Sequence, residues 1–194
     1  MASMVVTLDE GEMTLARTMA TRRRETSRAR WRRDRLVGND EENMEKELLG
    51  ACGELAFTKT FNLEPDTGYE SGEADTMMPD GRSVDVKTTA NPIGGLRVSE
   101  IARKCDLYVL VRKITDTQYF IKGWATKDEV LAASLVAGRP DHYYVPPYDL
   151  RSCNCPNFFE GANRSAAPRP GDPGPPPPLS GPLGSCKFQP VVQS

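Results

Sequence analysis

The sequence predicts an α/β fold, and three observations carry that expectation. Two nearly continuous apolar runs, Asp106 to Arg112 and Gln118 to Trp124, are joined through Thr115-Asp116-Thr117 and read as a hairpin at the centre of a sheet. Helical periodicity marks the stretch that starts at Asp40, where Leu48, Leu49, Cys52, Leu55 and Ala56 fall on one face. Between them, Glu73 to Thr89 reads as two short strands around a tight turn at Pro79-Asp80-Gly81.

The 194 residues suit one domain of modest core with extensions. No apolar run is long enough for a membrane span, and the N-terminus lacks the apolar core of a signal peptide. Five cysteines without an export signal lead us to expect reduced thiols and a cytoplasmic location. His142 is the one histidine, which excludes sites built on several imidazoles and turns any hydrolytic chemistry toward carboxylates, lysine and a hard metal.

The first segment, residues 1–39, is dominated by arginine. Between residues 17 and 35, nine arginines stand against Glu25 and Asp34, a local charge of +7; the whole chain is at −2, so the remainder carries −9. Such asymmetry fits a phosphate-binding arm on an acidic body, with Arg22, Arg23, Arg24, Arg28 and Arg32 as candidate nucleic-acid contacts. A solvated arginine-rich helix that pairs with the acidic body fits equally well. Thr14 to Leu36 has no Pro or Gly, and Leu15, Met19 and Ala20 give it an apolar edge.

Asp40 then caps a second helix, with Glu41, Glu42 and Glu45 near its positive end. Glu54 falls opposite the apolar face. Gly50 and Gly53 each cost about 1 kcal/mol relative to alanine inside a helix, so they point to a second backbone packed close by. That neighbour would be the hairpin.

In the hairpin, a three-residue loop puts Gly81 in the left-handed conformation and sets Met78 against Arg82. Counting outward pairs Asp75 with Asp85 and Glu73 with Lys87, and the strand period puts Asp75, Asp85 and Lys87 on one face while Val84 and Val86 face a core. Two carboxylates directly across a strand pair repel one another. A divalent cation would relieve that repulsion, because Mg²⁺ takes carboxylate oxygens and keeps waters that can be activated. Lys87 could then orient the attacking water or stabilise charge on a phosphate; it serves as a base only if its pKa falls well below roughly 10. An ordinary solvated hairpin face, with Lys87 paired to an acid, is the alternative.

After Lys87, Asn91-Pro92 and Gly94-Gly95 mark a turn, and Arg97 to Lys104 is expected to form a helical turn. Lys127 to Ala137 reads as a helix stopped by Gly138 and Pro140, with a last strand at Tyr143-Tyr144-Val145. From Arg151 the chain turns to Pro, Gly and Ser, a composition that cannot bury a core. The reading therefore divides the chain into an arginine-rich helical arm at 1–39, a core at 40–150 and a disordered Pro-rich tail at 151–194.

Asp75, then Asp85-Val86-Lys87, with Glu54 in the preceding Gly50-Ala51-Cys52-Gly53-Glu54-Leu55-Ala56-Phe57, resemble the signature of the PD-(D/E)XK nuclease superfamily over about residues 40 to 150. The literal Pro79-Asp80 pair lies in the turn, so Asp75 takes the place of the first acid. The resemblance, to small phage and bacterial members, implies a central mixed β-sheet flanked by helices, the restriction-endonuclease-like core. It also implies Mg²⁺ or Mn²⁺ held by Asp75, Asp85, Glu54 and the main-chain carbonyl of Val86, with Lys87 positioning the water that hydrolyses DNA. A bacterial or phage-infected cytoplasm follows from the same resemblance, as does a homodimer where both strands of a duplex are cut. The second acid is Asp rather than the commoner Glu, and no further catalytic polar residue is evident after Lys87. A non-catalytic nucleic-acid-binding or regulatory protein on the same fold therefore stays open beside the nuclease.

Overall fold

In the computed structural model, the described residues are 4–29, 40–65, 74–99, 105–136, 139–153 and 158. They form an α/β arrangement in three layers: two helices, a five-stranded mixed sheet, and a three-stranded antiparallel sheet with a short helix. The elements are β1 (Val5–Thr7), α1 (Glu10–Ala29), α2 (Asp40–Phe61), β2 (Thr76–Met77), β3 (Ser83–Thr89), β4 (Leu96–Ser99), β5 (Leu107–Lys113), β6 (Gln118–Thr126), α3 (Lys127–Ala132), β7 (Ser134–Val136) and β8 (Arg139–Val145).

The large sheet runs β1-β6-β5-β3-β2, and only the β3–β5 pair is parallel. Its centre is β5, whose residues alternate between two cores. Leu107, Val109 and Val111 join the cluster under α1 and α2, while Tyr108 and Leu110 join the one shared with β4, β8 and Val130. Burial on both faces explains why this strand reads as a nearly unbroken apolar run.

Helix α1 belongs to the body of the protein. Its entry is a capping box in which Asp9 Oδ1 accepts from the Glu12 N–H and Glu12 Oε2 from the Asp9 N–H. Met13, Ala16 and Met19 lie in the same core cluster as Ala51, Cys52 and Leu55 of α2, and Leu8 precedes them there. The sequence reading set residues 1–39 apart as an arm; from Leu8 to Arg24 the described part packs into the body, and residues 30–39 lie outside the described residues. Leu15, assigned to the apolar edge, is exposed.

The boundary at residue 150 also moves. Arg151 bridges to Trp124 through two main-chain hydrogen bonds of 2.9 Å, Cys153 is buried, and Phe158 is fully buried against Phe57, Phe61 and Trp124. A composition average over the Pro-rich stretch hides these few anchoring residues. The remainder of the predicted tail, from 159, lies outside the described residues.

Two further expectations change. Leu96–Ser99 is a strand paired with β8, not a helical turn, because Leu96 and Val98 alternate into the second core. The helix expected over 127–137 ends at Ala132. Its start is a Thr126/Glu129 capping box, but Ala133 is extended and Ser134–Val136 pairs with β8. Tertiary strand pairing overrides the helical propensity of Ala133 and Leu135.

Candidate functional site

The turn at Pro79-Asp80-Gly81 sets the local geometry as expected. Gly81 sits at φ 85°, its N–H donates to Met78 O at 2.9 Å, and the Met78 N–H donates to Arg82 O at 2.8 Å. Asp80 is occupied inside the turn, where its carboxylate accepts from the Arg82 Nε at 2.6 Å and from the Arg82 main-chain N–H. The register continues as Met77↔Ser83 and Thr76↔Val84, which brings Asp75 beside Asp85. The strand of which Asp75 was to be part is shorter than expected, because β2 holds only two residues. Asp75 Oδ2 instead accepts from the Val86 N–H at 2.7 Å, in the place of a longer strand's carbonyl. The Val86 carbonyl shares that edge, since a strand residue directs its N–H and C=O to the same side. Glu73 lies outside the described residues.

On β3, Val84 and Val86 face the helical core, and Asp85 and Lys87 alternate away from them. Lys87 Nζ donates to Asp85 Oδ1 at 2.6 Å. Asp85 is 6% exposed, whereas the Lys87 side chain keeps 37% of its surface open.

Glu54 is brought in by the glycine before it. A Cβ on Gly53 would stand 1.8 Å from Thr88 Oγ1, so only glycine lets α2 lie against β3 at this point. Gly50 has open space where its Cβ would be, so close packing explains one glycine and not the other. The Thr88 hydroxyl is buried beneath α2 without a hydrogen-bond partner among the described residues.

Sequence reasoning did not find the partner of Glu54. Arg23, from the arginine run, closes on it with two hydrogen bonds of 2.6 Å, Nη1 to Oε1 and Nη2 to Oε2. A bidentate fork of this kind is the strongest carboxylate contact a side chain makes. The next residue, Arg24, is 3% exposed and donates to Asp40 at 2.8 Å. Two of the arginines offered to a polyanion are therefore turned inward. Arg22 is exposed, the side chain of Arg28 is not described, and Arg32 lies outside the described residues. The only signal for the Arg23–Glu54 pair was the opposite charge of two segments 31 residues apart, which does not select one pair among many.

Glu54, Asp75 and Asp85 thus lie within electrostatic reach of Arg23 and Lys87, with Glu47 a further carboxylate near Arg23, so the acids outnumber these two cations. The imbalance falls on Asp75, whose carboxyl is held well above the usual range by burial and by the charges of Glu54 and Asp85, against Lys87 and the Val86 N–H. Burial also raises Glu54, against its bonds to Arg23. Burial alone would lower the Lys87 ammonium, but Asp85, Asp75 and Glu54 outweigh it and raise its pKa. The lowered lysine that a general base requires is not what these surroundings produce.

Carboxylate oxygens and a main-chain carbonyl are the donors that Mg²⁺ accepts, and the uncompensated negative charge is what a cation would neutralise. Asp75, Asp85 and the Val86 carbonyl fit such an ion. Glu54 has both oxygens on Arg23, and among the described residues no three His, Cys, Asp or Glu side chains form a ready metal-ligand cluster. No helix among the described residues is long and apolar enough to cross a membrane. Comparison with protein-family models, with curated proteins and with solved structures finds no match to this chain.

Proposed function

We propose that this chain is a metal-dependent nuclease of the PD-(D/E)XK kind that hydrolyses DNA phosphodiester bonds. The observation that carries the reading is the hairpin register that brings Asp75 beside Asp85 and Lys87, with the buried Glu54 of α2 within electrostatic reach of all three. Asp75 and Asp85, with the Val86 carbonyl, would hold Mg²⁺ or Mn²⁺; Glu54 would join them on leaving Arg23. When bound, the ion supplies Lewis acidity toward the phosphate and a water of lowered pKa. Lys87, bonded to Asp85 on the same strand face, would orient the attacking water and stabilise the charge that builds on the phosphate. Its open surface leaves it accessible to substrate.

Incubation of supercoiled, linear duplex and single-stranded DNA with Mg²⁺ or Mn²⁺, against EDTA, tests this. Cleavage is expected with metal and lost by at least a hundredfold in Lys87→Ala, while DNA binding persists. Equal rates for the two proteins would defeat it.

The Arg23–Glu54 fork favours a second reading, a nucleic-acid-binding or regulatory protein on the same fold that does not cut. Salt-sensitive binding without cleavage on any substrate would select it.

A further inference from the structure

Beside Lys87, the strand end and the following turn enclose a cleft of about 250 Å³ that the hydrolytic reading does not use. Lys87, Thr89, Asn91, Gly94, Gly95 and Arg97 line it, and among the described residues no carboxylate does. Local hydrogen bonds shape its turn. Thr89 Oγ1 accepts from the Asn91 N–H at 3.1 Å, Asn91 Oδ1 accepts from the Ile93 N–H at 3.1 Å, and the Gly94 N–H donates to Asn91 O at 3.1 Å. A Cβ on Gly95 would come within 2.5 Å of Val145 O, so the turn lies directly on β8.

These bonds engage acceptors and leave donors. The Asn91 side-chain amide and the Thr89 hydroxyl proton meet no protein acceptor among the described residues. The Arg97 guanidinium has no ion pair there, and its one contact is the face of the Tyr144 ring at 6.0 Å. One unpaired cation, Arg97, and two unmatched polar donors face a cleft whose lining holds no acid, with Lys87, bonded to Asp85, at its edge; such surroundings suit an anion.

We propose that this cleft is a phosphate subsite, holding through Arg97, Asn91 and Thr89 the backbone phosphate of a polynucleotide next to the one at Lys87. It rests on the nuclease reading in one respect, that the phosphate belongs to a nucleic-acid strand and not to a free ion. Arg97 supplies the charge; Asn91 and Thr89 supply orientation.

The test measures binding of a labelled oligonucleotide, in EDTA so that nothing is cut, over a series of salt concentrations. Arg97→Gln is expected to weaken binding about tenfold at low salt and to reduce the salt slope by about one, as the loss of one phosphate contact requires. Asn91→Ala is expected to weaken it several-fold with the slope unchanged. Lys122→Ala, which removes a positive charge elsewhere on β6, controls for net charge. Unchanged affinity in Arg97→Gln, or an equal loss in Lys122→Ala, overturns the proposal. Displacement of the oligonucleotide by millimolar inorganic phosphate also overturns it, by making the cleft a site for the free ion. Thermal melting of each variant separates loss of the site from loss of the fold, and Arg97→Lys, which keeps the charge, should restore the slope if Arg97→Gln melts early. The two readings fail separately. Loss of binding in Arg97→Gln with no cleavage by the unaltered protein leaves the subsite and removes the nuclease. Metal-dependent cleavage with binding indifferent to Arg97 does the reverse.

Discussion

More carboxylates than cations around Arg23 and Lys87 leave Asp75 to absorb the mismatch, and stability should register it. Its carboxyl titrates higher in the folded chain than in the unfolded one, chiefly through burial. Below about pH 4 it is protonated in both states and has no effect on stability. As pH rises above the unfolded value, the unfolded chain releases the proton first, so stability falls until the folded value is passed. Asp75→Asn removes that penalty and can still accept the Val86 N–H. It should melt a few degrees above the unaltered protein at pH 7.5, with the difference vanishing toward pH 4, as calorimetry at the two pH values would show. At this scale the hairpin was legible, because Pro79-Asp80-Gly81 determines a register and a register determines which side chains meet. The charge state of Lys87 was not, because it turns on burial by other elements set against Asp85, Asp75 and Glu54, and burial is fixed by packing rather than register.

At the scale of elements, the two glycines of α2 separate two physical causes that look alike in sequence. Gly53→Ala drives a methyl group into Thr88 and should destabilise by about 1–3 kcal/mol. Gly50→Ala meets nothing and should stabilise by up to about 1 kcal/mol through helix propensity. Thr88→Ala added to Gly53→Ala should recover only part of the loss, since the Thr88 Cβ itself lies 2.8 Å from the added carbon. Urea unfolding of the two single variants and the double variant measures the coupling. The helix α2 and the β5–β6 hairpin were readable because their patterns run over many residues, but the single apolar face expected of α2 was not, since Ala51 to Thr58 are buried all round and Glu54 with them. Three-residue strands such as β1 and β7 offer no window for a period, and both exist only through the partner strand that hydrogen-bonds them. Leu96 and Val98 did alternate in the sequence, but four residues between glycines and a charged stretch do not distinguish a strand from a turn.

At the scale of the molecule, the reading failed where composition was averaged over a segment. An arginine-rich stretch was separated from the core although every third or fourth residue of α1 faces inward, and a Pro-rich stretch was closed off before Phe158. The consequence is testable. A chain beginning at residue 40 loses Leu8, Met13 and Met19, each worth about 1.5–3 kcal/mol when buried. Their sum rivals the whole stability of a typical domain, which is about 5–15 kcal/mol. Such a chain should show no cooperative thermal transition, whereas one ending at residue 162 should retain it. An intact melt in the shorter chain would mean that α1 is dispensable.

The fork between Arg23 and Glu54 also bears on what any later ligand must displace. A buried glutamate without a counter-charge would have to wait for an ion before the chain could close around it, as small metal-dependent domains do. Here a guanidinium from the neighbouring helix fills that role from within, and Lys87 does the same for Asp85. Two of the acids are thus matched by the protein's own cations, and an ion that takes Glu54 must compete with an arginine already in place.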